Sequence, residues 1–279
     1  MPNYIPYLAL ILLSVLFFIF SWLKAKSKNL IVLYLTTAGL IYLFEYVVLV
    51  LFKAYEYTPG IFKDQYFDNI FGANVSDGFI LPSLVCFCAI YGLSFWWVIV
   101  IILGFCGIES IFLHLHVYRH IWWKTIYTGL SLPIVFFLGR RLWHLICYNS
   151  QRLLLRAVIL YFTVVSIKGT IIFYYAASFH LLIYHVGWYN DQSRDHIAFV
   201  TLWIFIKALF YVLVILFSKQ WIWKVLLIMG DFSSYLILYH LKILEVLGIW
   251  VIPLLTVTEI VLLLILLNFN KHLDTVSED

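Results

Sequence analysis

Of 279 residues, 65% are hydrophobic and only 11% are charged, with a mean hydropathy of +1.01; a soluble domain has roughly 45–50% apolar and about 25% charged residues. That much apolar surface excludes an ordinary soluble globule, and the bilayer is the solvent that removes the need to hide it. The net charge of +4 is mild and comes without a basic stripe, which excludes a nucleic-acid surface.

A spanning helix needs about 20 mainly apolar residues. The first such run is 4–23. Its charges follow the apolar run and no small-residue cleavage site is present, so it reads as an uncleaved span and not a signal peptide. After "KAKSKN" comes a second span, 30–52. The polar stretch "KAYEYTPGIFKDQYFDNIFGANVSDG" is rich in turn formers, and 53–75 is expected to be an interfacial loop. Residues 76–118 form one apolar block, roughly 60 Å long as a single helix and twice the hydrocarbon thickness. It must fold back, and "YGLS" (91–94) is the natural turn, giving a third span at 76–92 and a fourth at 95–117. The fifth is 124–145, with Pro133 inside it. The sixth is 155–182, with a break at Lys168-Gly169 as the alternative. "YNDQSRDH" (189–196) reads as a solvated loop, followed by spans at 197–217, 221–242 and 247–269 and a polar cytoplasmic tail at 270–279.

The expected fold is an all-α, polytopic transmembrane helix bundle of about nine spans, eight and ten being the alternatives, in a single integral membrane domain, 1–279. Helices are expected because lipid offers backbone groups no partner. A barrel would need alternating strands, and these runs are apolar all round. No internal repeat stands out, and so no inverted-repeat signature of a transporter.

Nine spans put the termini on opposite sides. Lys24, Lys26, Lys28, Arg140, Arg141, Arg152, Arg156, Lys219, Lys224 and Lys271 fall on one side, and Lys53, Lys63, Arg119, Lys124, Arg194 and Lys242 on the other. The positive-inside rule then puts the N-terminus outside and the C-terminus in the cytoplasm of a cell membrane. The four cysteines, Cys86, Cys88, Cys106 and Cys147, lie in or beside apolar runs and read as small core residues.

"ESIFLHLHVYRHIWWKTIYT" (109–128) gathers one acid, three histidines, two tryptophans, an arginine and a lysine. On a continuous helix Glu109, His116 and His120 fall within about 40° of one another and form a stripe. His116 and His120, at i and i+4, make a metal half-site that would need further ligands, with His180 or His185 as candidates. Two other readings stand beside it: a pH-sensing or proton-accepting stripe, since histidine titrates near neutrality, and simple interfacial anchoring by the basic and aromatic residues that collect where a helix leaves the bilayer.

Within the expected spans six ionisable residues are singled out: Glu45, Glu109, Lys168, Lys207, Asp231 and Glu259. Each costs about 2.5–3.5 kcal/mol at a helix centre on insertion scales. Lys168, Lys207, Asp231 and Glu259 sit near mid-depth and are expected to pair as a central layer. Glu45 and Glu109 share an outer layer with His116, His120 and His240. Such pairs can serve a solute or proton pathway or merely hold helices together. An alternative breaks the chain at "GDFSS", with Asp231 as an N-cap and Lys242 and Glu245 drawn into the membrane.

The Glu, the "YRH" and the "WWKTIYT" of that segment, with the nearby "DNIFGANVSDGFILPSL", resemble the uncharacterised multi-pass integral membrane proteins of spore-forming Gram-positive bacteria over about residues 30–145. The resemblance implies a host and brings no activity with it. Three functions stay open: translocation of a solute, ion or proton through a polar interior; a structural, sensory or assembly role; and an intramembrane metal-dependent enzyme built on Glu109, His116 and His120. No cofactor is indicated, and the lipid bilayer is the one partner the composition implies.

Overall fold

Backbone amides in lipid must be satisfied within their own segment, and this chain does so with helices. The computed structural model describes residues 2–275. Among the described residues nine helical segments are long and apolar enough to cross a membrane, so the chain is an all-α bundle and a multi-pass membrane protein. It divides into two compact units, Met1–Asn149 and Ser150–Asp279.

The first unit contains α1 (Tyr4–Ala25), α2 (Asn29–Glu45) running on through a π turn (Tyr46–Leu51), and β1 (Tyr55–Tyr57). Then come α3 (Gln65–Ala73), a second π turn (Asn74–Ile80) and α4 (Leu81–Ile90), which together make one continuous span. α5 (Phe95–His114), β2 (Tyr118–His120) and α6 (Thr125–Tyr148) complete it. The α3–α4 span is 67% buried against 11% for α1 and for α5, so it is the pillar around which the others pack. Leu84, Val85 and Cys88 of α4 meet Ile102 of α5 and Leu132 and Phe136 of α6. Gly139 permits this approach: a Cβ there would lie 2.0 Å from Val85 Cγ1. β1 and β2 pair antiparallel, Tyr55 opposite His120 and Tyr57 opposite Tyr118.

The second unit contains α7 (Leu153–Ala177), β3 (Leu182–Tyr184), α8 (Gln192–Phe217), α9 (Trp221–His240), β4 (Leu244–Val246) and α10 (Val251–Thr275). α7 runs through Lys168-Gly169 and α9 runs through "GDFSS" without a break, and Lys242 and Glu245 lie beyond the end of α9. β3 and β4 pair antiparallel. The residues expected as a polar tail from 270 continue α10, and the last four of them lie outside the described residues.

Apart from α1, which has no counterpart, the two units repeat one plan, which the sequence alone did not disclose. Helix, strand, helix, helix, strand, helix recurs: α2, β1, α3–α4, α5, β2, α6 and then α7, β3, α8, α9, β4, α10. β1 and β3 begin 127 residues apart, as do the helices starting at Gln65 and Gln192; β2 and β4 begin 126 apart, as do α5 and α9 and also α6 and α10. The shift falls by one across a hairpin whose first copy carries a π turn (Asn74–Ile80) that the second lacks, and a π turn marks a one-residue bulge in a helix.

At a shift of 127, "YTPGIFKDQYFDNI" (57–70) lies against "YHVGWYNDQSRDHI" (184–197), and Tyr, Gly, Asp, Gln, Asp and Ile coincide. The bonds coincide with them. Asp64 and Asp191 are N-caps, accepting from the Phe67 and Arg194 N–H. Asp68 accepts from the N–H groups of Gly60, Ile61 and Phe62 at 2.7–3.0 Å, and Asp195 from those of Val186, Gly187, Trp188 and Tyr189 at 2.7–3.2 Å. Asn69 Oδ1 and His196 Nδ1 accept from the Tyr57 and Tyr184 N–H. Gly60 and Gly187 take φ of 73° and 80°, a left-handed conformation open to glycine without cost. In each copy this clasp ties the strand-bearing connector to the start of the buried helix.

Candidate functional site

The expected helical stripe of Glu109, His116 and His120 does not form. α5 ends at His114, the chain reverses at His116 with φ of 56°, and His120 returns on β2. The reversal brings His120 Nε2 to 2.7 Å from Glu109 Oε1, and Thr125 Oγ1 donates to the same oxygen at 3.0 Å. His116 borders a polar groove with Glu56, Thr58, Gln65, Arg119 and His120. Arg119 is paired there with Glu56. Among the described residues no group of three His, Cys, Asp or Glu side chains is placed to hold one metal ion. His240, grouped with these residues on the sequence, ends α9 of the second unit. His180 and His185 flank β3 in that unit, and His185 Nδ1 is 3.1 Å from Asp195 Oδ2.

Glu45 and Glu109 border a common space. A cavity of about 290 Å³ lies within the first unit, walled by Tyr7, Ile41, Glu45, Tyr55, Asp77, Ile80, Phe105, Glu109, Phe112, Tyr118 and Trp123 among others. Its wall is mainly hydrocarbon and aromatic ring, with a few convergent polar groups, the usual composition of a small-molecule pocket. Phe44, Ile134 and Leu138 belong to the same wall and are 44%, 60% and 36% exposed. All three are on spanning helices, so the cavity opens on the flank of the unit.

The acids at this cavity differ in how they are satisfied. Glu109 has His120 and Thr125. Glu45 Oε1 accepts from the Tyr55 hydroxyl at 2.5 Å, while its Oε2 is buried with no hydrogen-bond partner. Asp77 Oδ2 is likewise buried and unpartnered. Neither Glu45 nor Asp77 has an ion-pair partner among the described residues. Burial, with Glu45 nearby, pushes the Tyr55 hydroxyl well above the usual phenol range. Burial beside Tyr118 does the same for Tyr57, and burial with Glu109 in range does it for Tyr118. Of these phenols, Tyr55 is the one that donates to Glu45. Asp77 was passed over on the sequence because it falls at the very start of the expected third span, 76–92, where a charge reads as interfacial. Measured from the N-cap at Asp64, it lies roughly 20 Å along a helix, deep enough to count as an intramembrane acid.

Lys168, Lys207, Asp231 and Glu259 come together in the second unit. Lys168 Nζ is 2.5 Å from Glu259 Oε1 and Lys207 Nζ is 2.7 Å from Asp231 Oδ1, with all four side chains 7% exposed or less. The Tyr211 hydroxyl sits 2.8 Å from both Asp231 Oδ2 and Glu259 Oε2, placed to share its one hydrogen between them. Tyr235 donates to Glu259, and its ring lies 4.1 Å from the Lys207 ammonium. Two cations and two anions from α7, α8, α9 and α10 thus close on one another with no formal charge left over.

Comparison with family models, curated proteins and solved structures finds no match for this chain.

Proposed function

We propose that this multi-pass membrane protein takes a small, mainly apolar solute from the bilayer into the cavity of its first unit, and that the translocation expected from the sequence uses this cavity as its binding station. The observation that carries the reading is an apolar cavity bordered by exposed side chains of spanning helices and by Glu45 and Asp77, each of which has one buried carboxyl oxygen with no partner. Polar groups inside a membrane are costly and mark solute or ion pathways when they are kept. The second unit supports a different role for its own charges: a closed, neutral cluster in which every charge has an ion-pair partner suits helix packing.

The test uses the purified full chain in nanodiscs and a neutral aromatic probe, 1-naphthylmethanol. Saturable binding is expected, and Ile134→Trp at the flank opening is expected to weaken it about ten-fold, the effect of blocking a pocket contact worth about 1.4 kcal/mol, with the unfolding midpoint unchanged. Binding indifferent to Ile134→Trp, or no saturable binding, would count against the cavity. Uptake of the probe into proteoliposomes above that of protein-free vesicles then separates translocation from binding alone.

The same reading sets the molecule in a cell membrane with the N-terminus outside, from the ten-to-six bias of Lys and Arg. The β1–β2 clasp of the first unit would then face outward. Lys63→Cys is expected to react with an impermeant maleimide on intact cells and Lys26→Cys is not; the reverse pattern inverts the topology.

A further inference from the structure

The second unit shows what this scaffold does with intramembrane acids when it closes around them. It supplies its own cations, Lys168 on α7 and Lys207 on α8, one for each acid. The first unit is built on the same plan and also buries acids, yet at those positions it has no lysine. Carried across the repeat, Lys207 falls on Ile80 or Leu81, according to the side of the π turn on which the register is read, and Asp231 falls on Phe105. Ile80, Leu81 and Phe105 all border the cavity. Where one copy has a completed ion pair, the other has an apolar-walled space, and Glu45 and Asp77 reach that space from different positions.

We propose that the cavity of the first unit binds a small amphiphilic ammonium, whose charge meets Glu45 and Asp77 as the lysines of the second unit meet Glu259 and Asp231. The proposal rests on the cavity reading above and names its ligand class. Three features select this chemistry. Glu45 Oε2 and Asp77 Oδ2 are buried and without partners, on residues 9% and 4% exposed. A carboxylate there gains most from a donor that also carries positive charge. The rings of Tyr55, Phe105 and Trp123 border the same space, and aromatic faces attract cations; in the second unit the Lys207 ammonium already lies 4.1 Å from the Tyr235 ring. The remaining wall is hydrocarbon and opens toward lipid, so the body of the ligand must be apolar.

The experiment compares 1-naphthylmethylammonium with 1-naphthylmethanol, which share a ring system and differ in charge, on the full chain in phosphatidylcholine nanodiscs. The ammonium is expected to bind at least about ten-fold more tightly than the alcohol, the effect of one charge-assisted hydrogen bond. Glu45→Gln and Asp77→Asn, which keep shape and remove charge, are each expected to bring the affinity for the ammonium down to near that for the alcohol. Ile80→Lys, which gives the first unit an internal cation, is expected to abolish ammonium binding. Displacement of the probe by added phosphatidylethanolamine assigns the ammonium to a lipid headgroup; no displacement assigns it to a free amine. Equal binding of the two probes, or a preference that survives both carboxamide variants, overturns the proposal. If both probes bind equally and Ile134→Trp blocks both, the cavity stands and the cation assignment falls; if neither binds, both fall.

Discussion

Lys207→Leu is expected to lower the stability of the purified chain by about 3–5 kcal/mol, the cost of leaving a buried charge without its partner. The loss should appear as a lower midpoint of heat- or SDS-induced unfolding. Asp231 would keep only its share of the Tyr211 hydrogen, and Glu259 would remain with Lys168. The double variant Lys207→Leu with Asp231→Leu removes both charges and is expected to recover most of the loss, because a buried pair replaced by apolar residues is often neutral or stabilising. Recovery identifies the four-charge cluster as helix packing. If Lys207→Leu instead folds with an unchanged midpoint but abolishes solute or proton flux in liposomes, the cluster belongs to a pathway and the packing role is wrong.

Composition and apolar run length made the membrane class and the helical spans legible, because lipid leaves the backbone few options. The turn at 91–94 was legible for the same reason: α4 ends at Ile90 and α5 begins at Phe95, and no single helix could have crossed that block. Lys168, Lys207, Asp231 and Glu259 could be picked out by depth alone, since an unpaired charge at that depth is too costly to be accidental. What stayed hidden depends on contacts between distant segments. The third span starts at Gln65, not at 76, because Asp64 caps it and Asp68 bonds back to the connector; read linearly, the same residues look like a loop. His120 meets Glu109 through a chain reversal that no helical wheel contains. The repeat was hidden because apolar helix faces tolerate exchange among Leu, Ile, Val and Phe. The clasp, where backbone N–H groups demand particular acceptors, kept six of its fourteen letters in both copies.

That selectivity makes the clasp the second place where a single substitution should be severe. Asp195 is fully buried as a side chain and its two oxygens take four backbone N–H groups, from Val186 to Tyr189. Asp195→Ala leaves those donors without a carboxylate. Each buried donor left unmet costs about 1–3 kcal/mol, and part of the connector can turn to water, so a net loss of roughly 3 kcal/mol is expected. Asp195→Asn keeps one acceptor oxygen and should lose less. Asp68→Ala, which removes the acceptor for three N–H groups in the first copy, should cost nearly as much, since the two clasps share one geometry. Hydrogen exchange localises the effect: the amides of 186–189 should lose protection in Asp195→Ala, and those of 60–62 in Asp68→Ala, each without change in the other copy. Exchange and unfolding midpoints that stay at wild-type values in both variants would show that the shared letters do not hold the connectors, and the clasp would then give no physical reason for the conservation of that stretch between the two copies.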